Sequence, residues 1–482
     1  MSEQMCHAPR LFVAAPQGRS GKTTVTLGLC AALTARGLTV QPYKKGPDYI
    51  DPSWLSEAAS RPCRTLDPFF YKQPEALLRA FVGSAQKADL NVIEGNHGLF
   101  DSFDETGVGS TAAVARTLDA PILLVLNATR IGRSAAAIVH GCQTFEPETN
   151  IAGVVLNNVA HGRHEARLRQ AIESHCHIPV LGAIPRDEKL TIPDRHLGLV
   201  PRAEEDAHLS AITACRSAIE RYLDLDAVLE IARSAPPLPL ADESQNPETT
   251  AQFPRPRIGI LRDRAFTFYY PENLEALEDA GAKSVFIDAF TDTELPPVDA
   301  LYIGGGFPEM FMDELSANTA LRAAIRAAIE NDLPVYAECG GLMYLSQRIV
   351  WGDKSAKMVG ALPCEVEMTV KPQGHGYVVA QVEAENPFFA PGTLLHGHEF
   401  HNSRIVEVCH TLFGKEHDHS NGALTAYHLS RGNGLGNSRD GIIYRNVLAS
   451  YTHLHSGGAP GWAKGLVHSA RLYRESRQEV KL

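Results

Sequence analysis

Several things are scarce in this chain, and each scarcity removes a class of protein. It has nine cysteines in 482 residues, at positions 6, 30, 63, 142, 176, 215, 339, 364 and 409. The number is odd and no two form a CxxC pair, so neither a zinc site nor a secreted disulfide framework is expected. Unpaired thiols suit a reducing compartment, and the cytoplasm is the expected location. Positive charge is also short: 45 lysines and arginines face 56 acids, for a net charge of −11. That balance argues against a nucleic-acid partner. The first apolar run, residues 11–15, is too short for a signal segment or a membrane span, so no membrane association is expected. No short-period repeat is visible, which removes solenoids and propellers.

What remains is ordinary globular composition, 44% hydrophobic and 21% charged, in a chain long enough for two or three domains. Apolar runs with strand character fall at 11–15, 39–43, 90–93, 121–126, 152–156 and 179–184. Helical stretches separate them, such as 23–34, 109–118 and 163–175. Strands alternating with helices predict an α/β fold with a mostly parallel, doubly wound sheet. Residues 233–257 break the pattern. They are rich in Pro, Ser, Thr and acids, lack apolar periodicity, and predict a linker. The alternation restarts with strands at 258–261, 284–287, 300–303 and 334–337, and with helices at 272–280 and 319–329. The reading is therefore a first α/β domain over 10–232 and a second over 258–482.

The segment AAPQGRSGKTT (14–24) lies between a predicted strand and a predicted helix, the context a phosphate loop requires. Pro16 stands where the strict pattern has its first glycine. Gly18 and Gly21 let the backbone approach phosphates, and amides at the helix start point at the anion. Gly18, Ser20, Gly21, Lys22, Thr23 and Thr24 are the expected ATP contacts. Lys22 would bridge the β- and γ-phosphates and Thr23 would hold magnesium. Asp48 and Asp51 in KKGPDYIDP (44–52) and Glu94 in LNVIEG (90–95) follow neighbouring strands. In an open parallel sheet those positions line the ligand crevice, so the three acids are expected to hold Mg2+ with Thr23.

A second reactive position is Cys339 in PVYAECGGLMYL (334–345). An apolar strand stops, a tight glycine-bearing turn follows, and a helix begins. This is the pattern of a nucleophile elbow. A helix N-terminus there is expected to favour the thiolate. The other eight cysteines lack that setting and are read as small apolar fillers. A base is needed, and GHEFHNS (397–403) and YTHLHSG (451–457) offer His398, His401, His453 and His455, among which residue type alone does not choose. Neither segment has the spacing of a metal site. HDHS (417–420) is read as a solvated loop.

These segments together resemble the CobB/CbiA group of a,c-diamide synthases of cobalamin biosynthesis, and the resemblance covers nearly the whole chain. In the first half it rests on SGKTT, KKGPDYIDP, RPCRTLD (61–67), VIEGNHGLFD (92–101), GSTAAVA (109–115) and PRDEKLTIPDRHLGL (185–199). In the second it rests on DRAFTFYYPENLEAL (263–277), YIGGGFPE (302–309), AECGGLMYL (337–345), GHEFHNS and ASYTHLH (449–455). It implies an N-terminal dethiobiotin-synthetase-like amidoligase domain and a C-terminal class I glutamine amidotransferase domain. It implies substrates too: L-glutamine, ATP with Mg2+, and a tetrapyrrole polycarboxylate whose acetates become amides through acyl phosphates. A homodimer is compatible with this reading.

Roles follow from the resemblance residue by residue. Cys339 matches the glutaminase nucleophile, and His453 matches the histidine of a Y-x-H motif. Gly305 and Gly306 match an oxyanion-hole loop. Tyr49, Ile50 and Asp101 match positions near the tetrapyrrole, and Asn157 is placed near the adenine. The group supplies no acidic third member beside Cys and His, and none is expected here. Departures gather where the ring should lie: TLDPFF (65–70), His97 and Ser102 in EGNHGLFDS, Asn127 after the fourth strand, and LHSGGAPGW (454–462). A sirohaem or sirohydrochlorin amidase would keep the chemistry and change the ring. A partition-type ATPase switch would account for the phosphate loop and not for the elbow.

Overall fold

The computed structural model describes residues 5–190, 203–239, 254–408 and 425–479. The chain divides into two compact units, residues 1–244 and 245–482.

The first unit is a doubly wound sheet of seven parallel strands. In chain order they are β1 (Arg10–Ala14), β2 (Val40–Lys44), β3 (Arg64–Thr65), β4 (Leu90–Glu94), β5 (Ile122–Asn127), β6 (Ile151–Val159) and β7 (Val180–Pro185). Their spatial order is β3-β2-β4-β1-β5-β6-β7, all pairs parallel. Side chains alternate across a strand, and that sorts the core into two layers. Phe12, Ala14, Leu124 and Val154 pack on one face, while Leu11, Val13, Leu123 and Val125 pack on the other. Both faces are covered, so the strands are mostly apolar on both sides. The one ion inside β1 is Arg10, fully buried, whose guanidinium donates to the carbonyls of Ala8 and Pro236 at 3.0 and 2.7 Å and to that of Leu118. The predicted strands match these within one or two residues, except that β6 runs three residues past its predicted end and the two-residue β3 is not among the predictions.

Helix α1 (Lys22–Ala35) follows β1 and carries the phosphate loop at its start. It packs against α2 (Ala203–Tyr222) so closely that a Cβ on Gly28 would lie 2.3 Å from Ile219 Cγ1 and 2.7 Å from the Cys215 carbonyl oxygen. The predicted linker is structured at both margins. A helix runs to Arg233, Leu238–Pro239 pairs antiparallel with Met5–Cys6, and a strand begins at Arg257. Residues 240–253 lie outside the described residues, as do residues 191–199 of the PRDEKLTIPDRHLGL motif and the HDHS stretch.

The second unit is built on a mixed sheet of ten strands among the described residues. Its parallel half contains β8 (Arg257–Leu261), β9 (Lys283–Ile287), β10 (Ala300–Ile303), β11 (Val335–Glu338) and β16 (Val447–Ser450). Its antiparallel half contains β12 (Gly374–Val382), β13 (Leu394–His401), β14 (Thr425–Arg431), β15 (Arg439–Tyr444) and β17 (His453–Leu454). The order is β9-β8-β10-β11-β16-β15-β14-β12-β13-β17. Only two residues separate β16 from β17, a span of about 10 Å at most, so the far edge of the sheet folds back over its middle. That return brings the end of β11 and the histidines of β13 and β17 together. The sequence reading contains the parallel strands β8 to β11 but neither the parallel β16 nor the antiparallel strands. Strands such as β12 are only half buried and carry polar residues on the open face, which blurs the apolar run.

Gly28→Ala separates propensity from packing. In an open helix the change would stabilise by about 1 kcal/mol. Because a backbone oxygen occupies the space, we expect destabilisation of about 1–3 kcal/mol by urea unfolding. A gain in stability would mean that α1 and α2 are not in this contact.

Candidate active sites

The first site is a cavity of about 810 Å³ at the carboxyl ends of β1, β2, β4 and β6. It sits where strand order reverses around β1, the place such sheets bind ligands. Gly21 adopts φ 94° at the start of α1, and a Cβ there would lie 2.1 Å from Asn157 Nδ2. Gly18 has neither constraint, so of the two loop glycines only Gly21 is demanded by the backbone. Asn157 lines the cavity and donates to the Ser20 carbonyl at 3.0 Å, which ties the loop to β6. Lys22 Nζ donates to the His97 carbonyl at 2.6 Å. Burial lowers the pKa of Lys22, partly offset by Glu94. Gly18, Gly21, Lys22, Thr23, Thr24, Asp48, Ile50, Asp51 and Glu94 all line the cavity. Ser20, Tyr49 and Asp101 do not. Ser20 Oγ donates to the Gln17 carbonyl, and Asp101 is exposed and accepts from the Gly98 amide.

The acids are organised around a residue the sequence reading passed over. Lys44, the last residue of β2, is buried and reaches Asp51 at 2.6 Å and Glu94 at 2.9 Å. Burial disfavours its charge, but those two carboxylates outweigh burial and raise its pKa. Burial would likewise raise Asp51, yet the Lys44 ammonium holds that carboxyl below its usual range. At Asp48 the same ammonium is outweighed. Burial and then the Asp51 charge push it up to about 7. Burial also raises Glu94, against Lys44 and the Thr23 hydroxyl, which donates to Oε1 at 2.7 Å. Glu94 Oε2 is buried with no partner, which is where a cation would fit. No cluster of three or more His, Cys, Asp or Glu suited to a metal occurs among the described residues. A magnesium ion would therefore take part of its shell from phosphate and water. A strand that ends in two lysines just before GPD was the available signal for Lys44.

The second site forms at the ends of β10, β11, β16 and β17. Cys339 stands between β11 and the short helix Gly340–Leu345 with φ 46° and ψ −99°. A non-glycine residue held with positive φ stores strain, and such strain is typical of nucleophile turns. Its amide donates to the Ser450 carbonyl at 2.7 Å, which fixes the turn to β16. The glycine loop 304–306 lies alongside. A Cβ on Gly340 would fall 3.0 Å from the Gly306 amide nitrogen, and one on Gly305 would fall 2.4 Å from His453 Cε1. The loop thus touches both the cysteine turn and His453.

Burial pushes the Cys339 thiol well above its usual range, and Glu309 and Glu338 add to the effect. The expected lowering by the helix terminus is outweighed, because the site is dry and its nearest charges are negative. Glu309 is itself raised by burial to about 7.

The four candidate histidines have different surroundings. His455 Nδ1 accepts from the Gly457 amide at 3.0 Å, and its Nε2 lies 3.6 Å from Glu272. His401 Nδ1 meets the Ser403 carbonyl at 2.8 Å, and its Nε2 lies 3.6 Å from Glu399. His398 lies 3.3 Å from the Tyr270 hydroxyl and stacks on His453 with centroids 5.0 Å apart. Burial and the neighbouring His453 lower its pKa far below the usual value. His453 touches the glycine loop, and its Nδ1 lies 3.5 Å from Glu338. The sequence reading expected no acid here. The signal was present as the residue just before Cys339, but nothing in a strand pattern says that it faces a histidine more than a hundred residues away.

Comparison with known proteins follows the same division. Residues 11–200 match the CobQ/CobB/MinD/ParA nucleotide binding domain, and residues 257–460 match the CobB/CobQ-like glutamine amidotransferase domain. The chain is 46% identical to a cobyrinate a,c-diamide synthase of Magnetococcus marinus over 97% of both chains. It is 40% identical to one of Methanosarcina acetivorans, again over 97% of both. It is 42% identical to one of Dehalococcoides mccartyi, over 96% of this chain and 98% of the relative. With a nucleotide-binding unit, a glutamine amidotransferase unit and relatives aligned from end to end, this chain belongs to the cobyrinate a,c-diamide synthase family of glutamine-hydrolysing carbon–nitrogen ligases.

Proposed function

We propose that this enzyme converts the a and c acetate carboxylates of a cobyrinate-type corrin to amides, using ATP and glutamine. The observation that carries this reading is the presence of two chemically distinct centres in a chain whose full-length relatives bear that name. A partition-type switch leaves the second centre without a purpose.

At the first centre a carboxylate attacks the γ-phosphorus of ATP, giving an acyl phosphate and ADP. Activation is needed because a carboxylate is a poor acyl donor to ammonia. The phosphate loop cradles the polyphosphate, and Lys22 leaves its carbonyl perch on His97 for the phosphates. Mg2+ would be held by Thr23 and Glu94, with Asp48 and Asp51 nearby, and would supply positive charge against the phosphate oxygens. Ile50 lies on the wall, with Tyr49 and Asp101 further out as ring contacts. Ammonia then displaces phosphate and forms the amide.

At the second centre His453 takes the Cys339 proton as the thiol attacks the glutamine side-chain carbonyl. Amides of Gly305 and Gly306 receive the developing oxyanion. Collapse releases ammonia and leaves a glutamyl thioester, which water hydrolyses to glutamate and free thiol. A buried thiol with a raised pKa stays protonated until a substrate carbonyl and a base are both in place.

Three expectations follow. Cys339→Ser should abolish glutamine-dependent amidation and leave amidation driven by ammonium salts within about two-fold, since the two chemistries occupy independent sites. Glutamine-dependent turnover in that variant would contradict the reading. Lys22→Ala and Glu94→Gln should lower turnover with either nitrogen source by about 10²-fold or more, and normal ammonia-driven turnover would remove the first centre from the mechanism. Gly305→Ala forces His453 to move, so glutamine use should fall by about 10²-fold while ammonia use persists. Unchanged glutaminase kinetics would mean that His453 is not the base.

A further inference from the structure

Glu338 ends strand β11 beside the nucleophile and has no task in the mechanism above. It is fully buried. Oε1 accepts from the Leu454 amide at 3.0 Å, and Oε2 accepts from the Tyr302 hydroxyl at 3.4 Å. Oε2 also lies 3.5 Å from His453 Nδ1. Among the described residues no lysine or arginine forms an ion pair with it. A carboxylate is costly to bury without a cation, and sites that keep one usually use it.

Adjacent strand residues point to opposite faces. The positive φ of Cys339 breaks that alternation immediately after Glu338. The turn that presents the thiol is thus also the element that delivers the carboxylate. His453 lies beside the carboxylate: its ring rests on Gly305, stacks on His398 and has Nδ1 3.5 Å from Glu338 Oε2. The hydrogen bond of a base to its orienting acid is often long in an unliganded enzyme and tightens with substrate.

We propose that Glu338 is the positioning residue for His453. It accepts the Nδ1 hydrogen, so Nε2 keeps its lone pair for the Cys339 thiol. When that proton arrives, the carboxylate stabilises the imidazolium across a buried contact, without itself taking the proton. The acid that completes the trio comes from the residue preceding the nucleophile, not from the neighbourhood of the histidine, where position 455 is occupied by another histidine. This inference rests on the reading of Cys339 and His453 as the glutaminase pair.

The test is Glu338→Gln in the full-length enzyme, with Glu338→Asp beside it and Cys339→Ser as reference. Glutamine hydrolysis in Glu338→Gln should lose about 10²–10⁴-fold in kcat. KM for glutamine should stay within about two-fold, since the loss is confined to the transition state. The aspartate variant should recover at least about ten-fold of the loss, because the charge is restored. Ammonia-driven amidation reports whether the protein is folded. A kcat within about two-fold of the parent overturns the proposal, as does an equal loss of ammonia-driven turnover, which would indicate a structural role. Glutamine hydrolysis surviving in Cys339→Ser would instead overturn the underlying pair. Should the glutamine variant not fold, nitrogen NMR of the parent labelled at histidine decides. The His453 signal, identified by its loss in His453→Asn, should show hydrogen on Nδ1, and hydrogen on Nε2 overturns the proposal.

Discussion

A parallel strand has its carboxyl end free to turn into a loop, and both reactive centres are assembled from such ends. In the first unit β1 gives way to the phosphate loop, β2 delivers Lys44 and then Asp48 and Asp51, and β4 stops at Glu94. Register holds these together: Glu94 lies opposite Val13 on one side and Lys44 on the other. In the second unit β10 gives way to the glycine loop, β11 stops at Glu338 and Cys339, and β16 leads within three residues to His453. A slip of one residue in either sheet would send these groups to the opposite face. The chemistry therefore depends on register, and register depends on the two-layered apolar core.

The two centres handle buried charge in opposite ways. The first gathers cations and anions in contact, with Lys44 paired to Asp51 and Glu94. In the mechanism proposed above it receives a polyanion and a metal together, and Lys22 and the loop glycines Gly18 and Gly21 line the cavity. Among the described residues, the second has acids beside histidines and no lysine or arginine in an ion pair with them. Its thiol is kept protonated by burial. A resting thiol is less open to oxidation or wasteful attack, and in the mechanism proposed above deprotonation waits until glutamine and His453 act together. Ammonia made in a dry pocket also begins as ammonia and not as ammonium, which has no lone pair to give.

Much of this was legible in the sequence, for identifiable reasons. Buried parallel strands are apolar at most positions on both faces, so β1, β4, β5 and β8 stand out as runs. The phosphate loop and the cysteine elbow are local, each fixed by a strand, a tight turn and a helix start. The groups that escaped are those whose meaning is made by tertiary structure. Lys44 reads as one more lysine until Glu94 is paired beside it. Glu338 reads as the end of a strand until β17 folds back to place His453 against it. The antiparallel strands escaped because their open faces are polar. Gly18 was given a role that its backbone does not require, whereas Gly21 has one because Asn157 presses against it.

The most direct test is the mass of the product. Purified enzyme would be incubated with ATP, magnesium and glutamine, together with cobyrinic acid, sirohydrochlorin or sirohaem in separate reactions. Each carboxylate converted to an amide lowers the mass by about one unit, because acyl transfer replaces a hydroxyl with an amino group. The account predicts two such steps on cobyrinic acid and none on the others. Amidation confined to the sirohaem series would contradict the corrin assignment, and no amidation of any tetrapyrrole would contradict the account at its centre.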